Sequence, residues 1–266
     1  MKIARIEIDG QTKYVVVEKD GFHVMAGSPF EQYKLEGKVL PLNGARAPKI
    51  LSPVSPRQII AIGLNYRKHA EESGMAIPGA PLVFVKTSNT IIGPGEPIIL
   101  PDMAPNEVDY EAELVIVIGK SAKNVAVENV SEYILGYTCG NDVSARDCQL
   151  RLDKQWARGK CFDTFAPIGP WVETDLDGDN LDICLKLNGQ TLQKSNTSDM
   201  IFSCSELVSY LSQCMTIEPG SIIFTGTPEG VGFGRKPQVF LRENDEVSVE
   251  IGGIGMLTNT VRKEQK

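Results

Sequence analysis

Residues 109–119 read DYEAELVIVIG. On a β-strand, residues two apart point to the same face. Glu111, Glu113, Val115 and Val117 would line one face; Tyr110, Ala112, Leu114, Ile116 and Ile118 would line the other. A strand that is apolar on both faces is buried on both, so this one belongs at the centre of a fold. Glu111 and Glu113 would then stand about 7 Å apart at Cα. Buried there, they repel each other and lose hydration, a cost of several kcal/mol per ion unless a cation compensates. A basic side chain or a metal could do so. An all-oxygen ligand set favours a hard cation such as Mg²⁺, Mn²⁺ or Ca²⁺. Zinc fits less well, because the only histidines are His23 and His69 and no cysteine pair stands near. In the competing reading, Asp102, Glu107 and Asp109 mark a solvated acidic loop and the glutamates merely end it.

Outward from this strand, the pattern is short strands with few helices. Residues 1–40 alternate polar and apolar, with Asp9-Gly10 and Asp20-Gly21 as turns, which predicts a small antiparallel unit. The proline-bearing stretch LPLNGARAPKILSPVSPRQ (40–58) marks a boundary between an N-terminal β unit, 1–55, and a larger domain, 56–266. IIAIGLN reads as a buried strand. Asn65 is placed to cap a short helix that Gly74 ends. Ser144 and Asp147 stand at capping-box spacing before a second helix, and Ser203 and Glu206 before a third. LVFVK (82–86), IIGPGEPIIL (91–100), ILGYTCGND (134–142), IIFTGTP and EVSVEIGGIGMLTNTV supply further strands. The fold class is therefore α+β and β-rich, not an alternating βαβ sheet.

Composition narrows the function. The 266-residue chain is 42% apolar, enough for a sizeable core, and its net charge of −7 argues against nucleic acid as a partner. No run approaches the roughly 20 apolar residues of a membrane span, and the first residues lack the apolar core of a signal peptide. Six scattered cysteines without C-x-x-C spacing read as reduced thiols in a cytoplasmic protein.

Other motifs carry chemistry of their own. His69 and Glu72 stand at i and i+3, where a carboxylate can orient an imidazole as a general base; a charged surface helix would show the same pair. Lys160 is a lone cation among aromatics, either a surface lysine or a stabiliser of developing negative charge. GTPEGVGFGR (226–235) follows a strand but opens no helix and lacks a G-K-[ST] ending, so it reads as a substrate-facing turn, with Thr227 and backbone N–H groups as donors. A serine triad is disfavoured by two histidines and no G-x-S-x-G elbow.

GLNYRKHAEESG, DYEAELVIVIG, GYTCGNDVSARDCQ, WARGKCFDTFAPIGP and FTGTPEGVG stand in the order seen in the fumarylacetoacetate hydrolase family, which the chain resembles from about residue 58 to its end. The resemblance implies a mixed β-sandwich roll, usually a homodimer. It also implies a metal, Mg²⁺ with Mn²⁺ or Ca²⁺ as alternatives, held by Glu111, Glu113 and Asp142. By motif position His69 and Glu72 match the pair that activates water in the hydrolases, and Lys160 matches the lysine beside the metal. Arg146, Gln149 and Thr227 match residues facing the substrate. The expected activity is C–C hydrolysis of an acylpyruvate-type 2-oxo acid. Decarboxylation or enol–keto isomerisation of a related acid such as oxaloacetate is the alternative, and a metal-stabilised binding protein without turnover is a third reading. No nucleic-acid or membrane partner is expected.

Overall fold

A computed structural model describes residues 1–45 and 47–265. The Ala112–Ile118 strand is buried at all seven positions, as its two apolar faces require. It lies inside a long mixed sheet. From one edge, that sheet runs through Lys34–Leu40, Gly21–Ala26, Gln11–Glu18, Lys2–Ile8, Ala166–Glu173 and Ile134–Asn141 to this central strand. It continues through Ile222–Phe224 and Ile59–Ile62 to Val83–Lys86. A five-stranded sheet, Gln190–Asn196, Asp182–Leu187, Glu246–Ile251, Gly255–Lys263 and Ile98–Leu100, packs against it.

Alternation decides which core each side chain enters. Leu114, Ile116 and Ile118 join Ile183, Leu185, Val247 and Val249 in the layer between the sheets. Val115 and Val117 enter a second cluster with Ile59, Ala61, Ile168 and Phe224 on the other face. Glu113, near the start of the strand, and Glu111, just before it, continue that second face, so the carboxylates sit at the rim of a rigid apolar block. This is the β-rich architecture with few, short helices that the sequence pattern implies, and its sheet is mixed as the family resemblance implies.

The N-terminal strands do form an antiparallel unit, turning at Asp9 and Gly10, whose φ values are 50° and 72°. Lys2 and Ile3 also pair with Glu173 and Val172, so the long sheet continues through this unit without a break.

Two local expectations need correction. Asn65 does not cap the Arg67–Ser73 helix; Tyr66 holds that place without a side-chain bond, and the left-handed Gly74 ends the helix as expected. The Asn65 amide instead ties three loops together. It donates to the carbonyls of Phe202 and Thr225 at 3.1 and 2.7 Å and accepts from Phe202 N–H at 2.9 Å. Asn65→Ala should leave these buried groups unpaired and cost about 3 kcal/mol, read from urea midpoints at unchanged m-value. Ser144 and Asp147 do not open a regular helix either. Ser144 belongs to a two-residue strand and donates to Asp142 O, and Asp147 caps a single π turn, Cys148–Leu152. The Ser203–Glu206 capping box does form, opening the Cys204–Cys214 helix.

Candidate active site

The end of the central strand meets three other segments. Asp142 follows the neighbouring Ile134–Asn141 strand, and its N–H donates to Glu111 O at 2.9 Å. That bond fixes the two backbones side by side. Carboxylate oxygens of Glu111, Glu113 and Asp142 come within 4.8 Å of one another, and all three residues are buried. The solvated-loop reading therefore fails: Glu113 is 1% exposed and Asp109 fully buried.

Cations compensate this cluster unevenly. Lys160 Nζ bridges Glu111 Oε2 at 2.7 Å and Asp142 Oδ2 at 2.6 Å. Arg146 reaches Glu111 Oε1 at 2.7 Å and Asp109 Oδ2 at 2.8 Å. Lys86 lies 2.5 Å from Asp142 Oδ1. Glu113 has only the Gly226 N–H, donating at 2.7 Å; among the described residues no cation lies within ion-pair distance of it. The electrostatics follow. Burial works against the Glu111 charge, but Lys160 and Arg146 outweigh it and hold the carboxyl down at about 2. Burial, and then the Asp142 and Glu111 charges, push Glu113 well above the usual carboxylate range. Burial, reinforced by Lys160, pulls Lys86 down although Asp142 opposes it. For Lys160 burial is overcome by Asp142 and Glu111, and its ammonium is favoured.

The expected base pair is assembled on the short helix. His69 Nδ1 lies 3.1 Å from Glu72 Oε2. With Nδ1–H donating to that carboxylate, Nε2 keeps its lone pair. Glu72 also accepts from Gly230 N–H at 3.0 and 3.1 Å, which pins the helix to the 226–235 turn. Burial opposes the Glu72 charge, but these bonds outweigh it and lower its pKa.

His69, Glu111, Glu113, Asp142, Lys160 and Thr227 all line one cavity of about 260 Å³, and so do Arg146 and Gln149. Glu72 stands behind His69 and reaches the site through it. Apolar walls come from Leu64, Phe84, Leu150 and Trp156. Arg146 is held by Asp109, Glu111 and Gln149 Oε1, so it braces two carboxylates at the cavity wall.

The chain belongs to the fumarylacetoacetate hydrolase family.

The family model described as fumarylacetoacetate (FAA) hydrolase C-terminal matches residues 58–262, and a second, described as Rv2993c-like, N-terminal, matches residues 1–53. A fumarylacetoacetate hydrolase domain-containing protein 2 homolog of Dictyostelium discoideum is 51% identical over 83% of this chain and 78% of that protein. The mitochondrial oxaloacetate tautomerase Fahd2a of Rattus norvegicus is 45% identical over 84% of this chain and 72% of its own. The crystal structure of a 5-carboxymethyl-2-hydroxymuconate delta-isomerase from Mycobacterium smegmatis superposes with a TM-score of 0.89. It is 41% identical, covering 99% of this chain and all of that one.

Three residues of the site carry no site role in the sequence reading. Lys86 had a faint signal: it shares a face with Leu82 and Phe84 at the end of an apolar strand, where a charge needs a partner. Asp109, read as one member of an acidic run, accepts from Gly232 and Phe233 N–H at 2.8 and 2.9 Å and anchors the 226–235 turn. Gln193 comes from the other sheet and carries no local signal. Among the described residues no helix is long and apolar enough to cross a membrane.

Proposed function

We propose that this family member is a divalent-metal-dependent enol–keto tautomerase of a small 2-oxo dicarboxylic acid of the oxaloacetate type. The carrying observation is Glu113, a buried carboxylate without a cationic partner among the described residues, beside two that have theirs. With Glu113 ionised, four buried carboxylates, Asp109, Glu111, Glu113 and Asp142, stand against three buried cations among the described residues, Lys86, Arg146 and Lys160. That leaves the cluster one positive charge short, and an all-oxygen set within 4.8 Å is suited to a hard divalent ion. Glu111, Glu113 and Asp142 would hold it. When bound, such an ion supplies Lewis acidity toward the carboxylate and keto oxygens of a 2-oxo acid.

The chain's own residues account for the rest. Lys160 places a permanent positive charge where oxygen gains negative charge as a C3 proton leaves. His69 lines the cavity, and its Nε2, left with the lone pair in this tautomer, can take the C3 proton and deliver it to the substrate oxygen, the reverse transfer running from the enol hydroxyl back to C3. Glu72 fixes the tautomer and holds the ring in place. The apolar walls exclude water and strengthen these interactions. Tautomerisation needs nothing further. The relatives named as a tautomerase and an isomerase support this reading over the hydrolase expected from the motifs.

Hydrolysis of an acylpyruvate keeps support from the 3.1 Å His69–Glu72 contact, which suits water activation. Assays with oxaloacetate and acetylpyruvate separate the two. With Mg²⁺, the enol absorbance of oxaloacetate should reach its keto equilibrium faster, without stoichiometric pyruvate release. Glu72→Ala should keep part of this rate. Faster cleavage of acetylpyruvate than equilibration of oxaloacetate would make the protein a hydrolase instead.

A further inference from the structure

The Thr227 hydroxyl sits in a chain of hydrogen bonds whose directions are all dictated by chemistry. Ala112 N–H can only donate, so the Gln193 atom 2.9 Å away is its carbonyl oxygen, Oε1. The Pro228 carbonyl can only accept, so the Gln193 atom 2.9 Å from it is Nε2. That nitrogen also lies 2.9 Å from Thr227 Oγ1 and, as an amide nitrogen, can only donate to it. The Ala112 carbonyl, 2.9 Å from Thr227 Oγ1, accepts the one hydroxyl proton. Gln193 is 1% exposed and makes these contacts directly. Thr227 lines the cavity, and its only remaining hydrogen-bonding capacity is a lone pair. The turn reads as a source of donors from its composition, yet this side chain is an acceptor.

We infer that Thr227 is a hydrogen-bond acceptor in the site, that Gln193 is the positioning residue that makes it one, and that the site thereby favours ligands presenting a hydroxyl donor, such as the enol form of a 2-oxo acid. This rests on the metal-dependent 2-oxo acid reading above. Gln193 lies on the Gln190–Asn196 strand of the smaller sheet, so the second layer of the fold sets the polarity of a site built on the first. Its Ala112 bond also holds the peptide between Glu111 and Glu113.

Two chelating probes differ in the feature that matters. Glycolate carries a hydroxyl donor; oxalate carries none. Their binding with saturating Mg²⁺ is measured by calorimetry on the full chain. Thr227→Val should weaken glycolate about tenfold and change oxalate less than twofold, because one hydrogen bond is lost only where a donor was present. Thr227→Ser should restore both affinities to within twofold. Gln193→Met frees the hydroxyl to turn its proton into the cavity, and should shift the preference toward oxalate. Should Gln193→Met fail to fold, the Thr227 pair decides alone. A tenfold loss of oxalate with glycolate retained would make Thr227 a donor and overturn the assignment. Equal losses for both probes would reduce its role to a structural one and overturn it as well. Binding of neither probe to the unaltered protein is a different failure: it would remove the metal reading underneath, and the assignment with it.

Discussion

Glu113→Gln should make the metal-free protein more stable and the enzyme inactive. The two effects share one cause. Glutamine keeps an oxygen to accept the Gly226 N–H and loses the charge that Asp142 and Glu111 repel. Relief of a buried, unpaired carboxylate is worth about 2 kcal/mol, roughly 5 °C in melting temperature for a chain of this size. The sign with pH follows from the raised folded-state pKa. Below the ordinary value of 4.5 the glutamate is protonated in folded and unfolded chains alike, and the variant gains nothing. Above it the unfolded chain ionises first, and the advantage of glutamine grows. Stabilisation by Mg²⁺ should disappear, since it depends on an ion that binds only the native state. Turnover should fall about a thousandfold. A variant that is less stable at neutral pH, or that still responds to Mg²⁺, would mean that Glu113 has a partner other than a metal.

Lys160→Met should have the opposite effect on stability and a similar one on rate. Lys160 bridges Glu111 and Asp142, and its removal leaves two buried charges short of compensation. Breaking a buried pair from one side costs about 3–5 kcal/mol. Added Mg²⁺ should recover part of the lost melting temperature, because an ion between the carboxylates replaces some of the missing charge. It should not recover turnover, which is expected to drop about a hundredfold or more, because the charge beside the reacting oxygen is gone. Activity within tenfold of the unaltered protein would show that Lys160 only balances charge.

What could be read along the chain was whatever leaves a short-range trace. The Ala112–Ile118 strand declares its burial through alternation, and buried glutamates on it declare a need for cations. The 3.6-residue turn brings His69 to Glu72, and the Ser203 box opens its helix. The partners across space leave no such trace. Lys86 meets Asp142 across 56 positions, and Gln193 meets Ala112 across 81. Asn65 resembles a cap because asparagine is a common one, but its amide found three buried backbone groups on other loops. Ser144 and Asp147 match a capping box in spacing, yet Ser144 is held in a strand pair with Asp109 and the helix never starts. Tertiary pairing overrides local signals where a chain turns around a site.

The central claim, that three carboxylates converge on one hard ion, is tested most directly by crystals grown with Mn²⁺ and oxalate and measured at the manganese edge. The expected result is one anomalous peak with an oxygen each from Glu111, Glu113 and Asp142 at about 2.2 Å, and oxalate completing the sphere. Absence of a peak between those carboxylates, with the Lys160 ammonium still bridging Glu111 and Asp142, would contradict it.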